Sequence, residues 1–461
     1  MLSNAAISTF ESILGKQGVM LQGESLEDYA HDEMTEYGLF TPEAVLLPTT
    51  QEQVSAIMHY CNEQLISVTP RGAGTGLCGG CVAAQGGVIL SLEKMTRILA
   101  IDCENMTARV EPGVLLMSLN AQLLGTGLFY PPDPGEKSAT LGGNIMTNAG
   151  GMRAVRYGVT RDYVLALTCV MPDGEILQLG GDTVKNASGY SLKDLVIGSE
   201  GTLCIVTEIL LKLIPEPETN LSLLIPFATL DACIAAVPQV LRSGAEPTAV
   251  EFMESAVIRA VEHYLGKAFP DTSAPAYLLI RLDGPSPKAL EPQIEQITEL
   301  MLSLGALDVF LADTEERKSS IWDARGAFLE AIKAGTPSMD ECDVVVPRMQ
   351  IPSFIHNAMA IGKAQEVRIC SFGHAGDGNL HIYICQDGLS SGDWRTKRQL
   401  VMDALYRKAQ DLHGQVSGEH GIGHAKTGYL MDSLGDSPMR IMRGIKAVFD
   451  PRGILNPGKV V

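Results

Sequence analysis

No apolar run in these 461 residues reaches the roughly 18 residues that a membrane-spanning helix needs, which excludes an integral helix of that kind. The N-terminal stretch MLSNAAISTFESILGKQG has neither a basic leading region nor a long apolar core, so it reads as an amphipathic helix rather than a signal peptide. A basic excess is missing too. The net charge of −19 argues against a nucleic-acid binder and against steady adhesion to anionic lipid. No internal repeat or low-complexity tract is present. The ten cysteines are scattered without a disulfide framework, and the expected location is the reducing cytoplasm. Cys78 and Cys81 form one CxxC, but a zinc site or an iron–sulfur cluster wants four ligands and there is no second pair.

What is present is an ordinary globular balance, 46% apolar and 19% charged, at a length that suggests more than one domain. Residues 45–65 read as a short strand and a helix, with Thr49 and Glu52 at capping-box spacing. Short strands are expected at 66–70, 88–92 and 108–112, and a helix at 114–125 ending on Gly125. Residues 164–179 are two apolar runs around Pro172-Asp173-Gly174, a hairpin signal, and 203–215 is a long strand-like run. EPETN, 216–220, is the best boundary. Beyond it strands and helices alternate as an α+β layer, followed by one long helix over 314–334 and another over 396–413.

Glycines cluster three times in the first half. PRGAGTGLCGG, 70–80, has five glycines in nine residues, and no helix follows as a dinucleotide fingerprint would require. A loop without Cβ atoms still lets backbone N–H groups approach a pyrophosphate. PPDPGEKSATLGGNIMTNAGG, 131–151, interleaves Asn144 and Asn148 with glycines, and GSEGTLCIVTE, 198–208, is the third cluster. Three such loops in one domain suggest a large cofactor touching many backbone segments.

The second half carries SFGHAGDGNLHIYI, 371–384. On one straight strand His374 and His381, seven apart, would face opposite sides. Ala375-Gly376-Asp377-Gly378 should instead break the strand and turn it back. Both imidazoles would then face one point, with Asn379 on the same side as His381. Two histidines and a carboxylate make a sound divalent-metal set, and Glu419 of SGEHGIG is the carboxylate candidate. Its neighbour His420 should diverge from it, so that one holds metal while the other faces substrate.

The order PRGAGTGL, PPDP…SATLGGN…NAGG, IGSEGTLCIVTE, then GHAGDGNLH, SGEHGIG and LNPGKV resembles the FAD-linked D-2-hydroxy-acid dehydrogenases of the vanillyl-alcohol-oxidase superfamily. The resemblance covers nearly the whole chain. It implies an α+β fold, with a two-part FAD-binding domain over 1–217 and an α+β substrate domain over 218–461 whose last stretch returns towards the flavin. It implies cofactor contacts at Pro70, Arg71, Gly72, Ala73, Gly74, Thr75, Gly76 and Gly79. Further contacts would come from Pro132, Ser138, Thr140, Gly142, Gly143, Asn144, Asn148 and Gly150, and then from Glu200, Gly201, Ile205 and Asn456. Relatives with covalent flavin often carry a histidine near Thr75. None occurs between His59 and His263, so non-covalent FAD is expected.

The same resemblance makes His374, His381 and Glu419 the ligands of a divalent metal such as Zn, Fe or Mn, and His420 the catalytic base. It makes Arg325 the partner of the substrate carboxylate, with Asn379 beside it; the resemblance aside, Arg325 would read as a helix-surface ion pair. Relatives acting on 2-hydroxyglutarate place a lysine about fifteen residues beyond that arginine. Here the stretch reads GTPSMDECDVVVP, with Asp340 and Glu341, which should repel a second carboxylate and favour D-lactate or glycolate. A flavin-dependent alkyl transferase shares the fold, but the histidine set favours hydroxy-acid oxidation. Electrons would leave to a protein partner, an electron-transferring flavoprotein or an iron–sulfur subunit.

Overall fold

The computed structural model describes residues 1–21 and 24–461. The chain divides into two compact units. One comprises Met1–Gly150, Val159–Glu216 and Glu419–Val461; the other comprises Gly151–Gly158 and Pro217–Gly418. The boundary read at EPETN thus falls beside a division between Glu216 and Pro217, and two further segments change sides.

The first unit opens with the helix Asn4–Leu14, capped by Ser3, and contains two main sheets. The smaller has the order Val19–Met20, Ala44–Leu46, Val88–Ser91, Val68–Arg71. The helix Gln51–Gln64 packs on it. Its cap is Thr50, still extended at φ −138°, whose hydroxyl accepts from Gln53 N at 3.3 Å. The capping pair expected at Thr49 and Glu52 therefore stands one residue later: Thr49 N donates instead to the Gln53 side chain. The larger sheet orders Ile98–Asp102, Thr107–Val110, Ile205–Lys212, Val164–Val170 and Ile176–Gly180, with the hairpin around Pro172-Asp173-Gly174 as expected. Ile57, Met58, Val68, Val88, Ile205 and Leu455 meet in one core. Each such buried side chain contributes about 1.5–3 kcal/mol. Leu455 shows how the chain's end belongs here: it forms a parallel bridge with Val68.

The second unit is a seven-stranded sheet. Its order is Phe310–Ala312, Thr219–Phe227, Ala276–Gly284, Ala249–Glu254, Arg368–His374, Asn379–Cys385, Met339–Val345. Every pairing in it is antiparallel. Gly151–Gly158 joins this unit through Arg156 and Tyr157, which donate to Asp283 O at 2.9 Å and to its carboxylate at 3.0 Å.

Three expectations need correction. The helix over 314–334 is two, Glu315–Gly326 and Phe328–Ala334. They meet at Ala327 (φ −90°, ψ 3°), just after a glycine that weakens the helix. The helix expected from 396 begins at Ser391, capped by Ser390 accepting from Asp393 N. The acidic stretch after Arg325, where the sequence shows charge and no strand, contains the edge strand Met339–Val345. Among the described residues no helix is long and apolar enough to cross a membrane.

Candidate functional site

In the first unit the strand Val68–Arg71 delivers the chain into the first glycine loop. Among the described residues, none of the backbone N–H groups of Gly72, Ala73, Gly74, Thr75 and Gly76 donates to another group of the chain. Gly74 sits at φ +80°, open to glycine and strained for other residues. A Cβ on Gly72 would collide with Thr140 Oγ1, so the second glycine cluster lies directly against the first. Thr140 caps the helix Leu141–Thr147, accepting from Gly143 N at 3.2 Å. Within that helix the Asn144 side-chain nitrogen is buried with no partner. Asn456 donates to Gly80 O at 2.9 Å and Glu200 O at 2.7 Å, while its own Oδ1 is buried and unpaired. Buried polar atoms are costly unless something takes them up. A row of open N–H donors, with two orphaned amide atoms in the same unit, therefore fits a large, polar, anionic cofactor, as FAD is.

Other residues of the expected cofactor set are engaged elsewhere. The Arg71 guanidinium turns back, donating to His31 O at 2.8 Å, Asp28 O at 3.0 Å and Cys81 Sγ at 3.2 Å. Gly79 N donates to Asp32 at 2.6 Å. Ser138 is exposed and bonded to Glu136; the Ile205 side chain lies in the core. Asn148 accepts from Arg161 N at 2.9 Å. Gly142 and Gly201 are close-approach glycines: a Cβ would run into Pro112 and Pro70 respectively. Pro132 is buried at the head of the second cluster.

Glu200 has a use that its place in a glycine motif did not reveal. Its two carboxylate oxygens accept from Ile422 N and Gly423 N, each at 2.7 Å. Burial pushes its carboxyl up, and those two N–H groups together with nearby Lys426 and Lys459 act against that. The clamped loop carries Glu419 and His420. Glu419 lies against Gly150, where a Cβ would come within 2.9 Å of its Oε2. His420 Nε2 stands 3.7 Å from Glu419 Oε1, so these neighbours converge where divergence was expected. Lys459 is buried and donates to Val82 O at 2.8 Å; burial pulls its pKa down to about 8. His424 packs edge-on against Phe40 with ring centroids 5.2 Å apart.

In the second unit Arg368–His374 and Asn379–Cys385 form the turned-back hairpin. Asp377 N and Gly378 N close the turn on His374 O at 3.2 and 3.0 Å. His374 pairs with Asn379 and Phe372 with His381, so the period of two puts both imidazoles on one face, ring centroids 5.2 Å apart. Each is anchored from behind. His374 Nδ1 meets Glu251 at 2.8 and 3.0 Å, and His381 Nδ1 meets Glu341 at 3.1 Å. A carboxylate on Nδ1 holds the proton there and leaves Nε2 as the lone-pair nitrogen. That is the preparation a metal-ligating pair needs, and nothing in the sequence pattern pointed to Glu251.

Arg325 is buried, at 6% exposure, which overturns the helix-surface alternative. Its Nε and Nη2 donate to Glu251 Oε2 at 2.9 and 2.6 Å, and its guanidinium lies 4.6 Å from the Phe372 ring centroid. Asn379 is also engaged: its amide nitrogen donates to Asp343 at 2.7 Å and Val344 O at 3.0 Å. The acidic pair read as one repulsive segment is split by strand alternation. Glu341 faces His381, while Asp340 pairs with Arg398 at 3.6 Å.

Comparison with known families agrees with this geometry. Residues 42–180 match the FAD binding domain, and residues 216–460 match the C-terminal domain of FAD linked oxidases. The chain therefore belongs to the FAD-linked oxidases, a family of flavoprotein oxidoreductases. Within that class it is 50% identical to D-lactate dehydrogenase of Anaerostipes hadrus, over 98% of this chain and 96% of the relative. It is 39% identical to glycolate oxidase subunit GlcD of Bacillus subtilis (strain 168), over 94% and 91%. The solved structure of p-cresol methylhydroxylase with substrate bound shares the fold at TM-score 0.83 and 18% identity, covering 99% of this chain and 96% of that one.

Proposed function

We propose that this protein is a dehydrogenase of small D-2-hydroxy monocarboxylates, D-lactate foremost, with FAD held non-covalently and a divalent metal, Zn, Fe or Mn. The observation that carries this reading is the histidine hairpin, with both Nδ1 atoms secured to buried carboxylates and both rings on one face. The relative named D-lactate dehydrogenase supports the substrate; the glycolate oxidase subunit keeps glycolate as the second choice. In this reading the first unit holds FAD, and His374, His381 and Arg325 belong to the second.

His374, His381 and Glu419 are the ligands we assign to the metal. When bound, the metal supplies a Lewis acid and FAD supplies a hydride acceptor. The rest falls to the chain. A ring nitrogen of His420 takes the proton from the substrate hydroxyl, while the hydrogen on C2 leaves as hydride and C2–O becomes the carbonyl. The guanidinium edge of Arg325 that Glu251 leaves unused receives the substrate carboxylate, with Asn379 Oδ1 alongside. The open N–H groups of residues 72–76 receive the cofactor's pyrophosphate. Electrons then pass to a protein acceptor, for which we propose an electron-transferring flavoprotein ahead of an iron–sulfur subunit. The cysteine pattern supports a cytoplasmic setting.

The test is anaerobic mixing of the FAD-loaded protein with D-lactate, L-lactate, glycolate and D-2-hydroxyglutarate. Bleaching of the flavin band by D-lactate, with little by L-lactate, is the expected result. Faster bleaching by D-2-hydroxyglutarate would replace the substrate assignment, and no bleaching by any hydroxy acid would return the alkyl-transferase alternative.

A further inference from the structure

Glu251 is fully buried, and a lone carboxylate there would be costly. Its strand, Ala249–Glu254, runs beside Arg368–His374 in the register Phe252 to Gly373, which brings Glu251 alongside His374. Four contacts converge on it. Both oxygens meet His374 Nδ1, at 2.8 and 3.0 Å, and Oε2 also accepts from Arg325 Nε and Nη2, at 2.9 and 2.6 Å.

We infer that Glu251 is a positioning residue that ties a metal ligand to the substrate-carboxylate arginine, so that the two sites are set by one side chain. The inference rests on the metal site proposed above. Glu341 is the natural control. It does for His381 what Glu251 does for His374, yet its carboxylate is bonded to the histidine and not to Arg325. Replacing the Glu251 carboxylate by an amide changes two things together. The amide can donate to His374 Nδ1 and so favour the other tautomer, which moves the proton onto Nε2. It also leaves the Arg325 charge without its counter-ion.

The experiment uses full-length, FAD-loaded protein with Glu251→Gln, Glu341→Gln and His374→Ala. Zn²⁺ affinity is read by competition with a chelating dye. The D-lactate dependence of flavin bleaching is read at saturating Zn²⁺. Both amide variants are expected to bind Zn²⁺ about 10–100-fold more weakly. At saturating Zn²⁺, Glu251→Gln should keep a KM for D-lactate raised tenfold or more, and the rise in Glu341→Gln should be several-fold smaller. Equal KM shifts in the two variants, or wild-type Zn²⁺ affinity in Glu251→Gln, overturns the inference. Wild-type Zn²⁺ affinity in His374→Ala instead overturns the metal site itself. Should the buried variants not fold, ¹⁵N-histidine NMR of the metal-free wild type decides. His374 as the Nδ1–H tautomer supports the assignment, and Nε2–H overturns it.

Discussion

At the scale of single residues, identity and use separate. Glu419, His420, His374 and His381 could be singled out from the sequence because histidine and carboxylate beside glycine are unusual and chemically pointed. Glu251 could not, since it sits in an ordinary strand, and Glu200, legible as part of a glycine motif, gave no sign of the loop it holds. Their roles exist only through partners 123 and 222 residues away. His420→Ala should leave FAD bound and slow flavin reduction by D-lactate on the order of 10²–10⁴-fold, by stopped-flow absorbance. Lys459 yields a pH test. Its folded pKa of about 8 lies below the ordinary 10.5, so between those values the unfolded chain binds the extra proton and stability rises with pH. Below pH 8 the cost of burial is fully present. Lys459→Met should remove this rise, worth about 3 kcal/mol at most, seen as a smaller gain in urea midpoint between pH 7.5 and 9.5 than in the wild type.

At the scale of elements, strong periodicity and turn chemistry were legible, while boundaries and interruptions were not. The hairpin around Gly376 and Gly378 followed from two glycines between β-rich runs. The helix break at Ala327 did not, because one glycine in a periodic pattern is usually tolerated. The edge strand Met339–Val345 was hidden by three acidic residues, which suit a strand only because histidine, asparagine and arginine partners await them. The capping shift is directly testable. Thr50→Ala should destabilise by about 0.5–2 kcal/mol and Thr49→Ala by clearly less, compared by denaturant midpoint. Gly378→Ala tests the turn. The residue sits at φ +88° and its Cβ would collide with Val346 O, so a loss of about 1–3 kcal/mol is expected by the same measurement, with Zn²⁺ affinity falling alongside.

At the scale of the whole molecule, the two units each have their own sheet and core, and the chain passes between them four times. FAD at a hundredfold excess over its Kd should add about 2.7 kcal/mol of stability, seen as a rise in the thermal midpoint of the apoprotein on titration. No rise would remove the cofactor reading of the open N–H groups. The sequence by itself determined the class of protein and singled out the candidate reactive side chains, because those depend on residue type and on spacing within a motif. Only the tertiary structure decided that Glu419–Val461 packs with the first unit, that Glu200 clamps the GEHGIG loop, and that Arg325 and His374 share Glu251. The last two each turn on a buried carboxylate whose partner lies far along the chain. Burial makes such a partner obligatory, and only the fold determines which one it is.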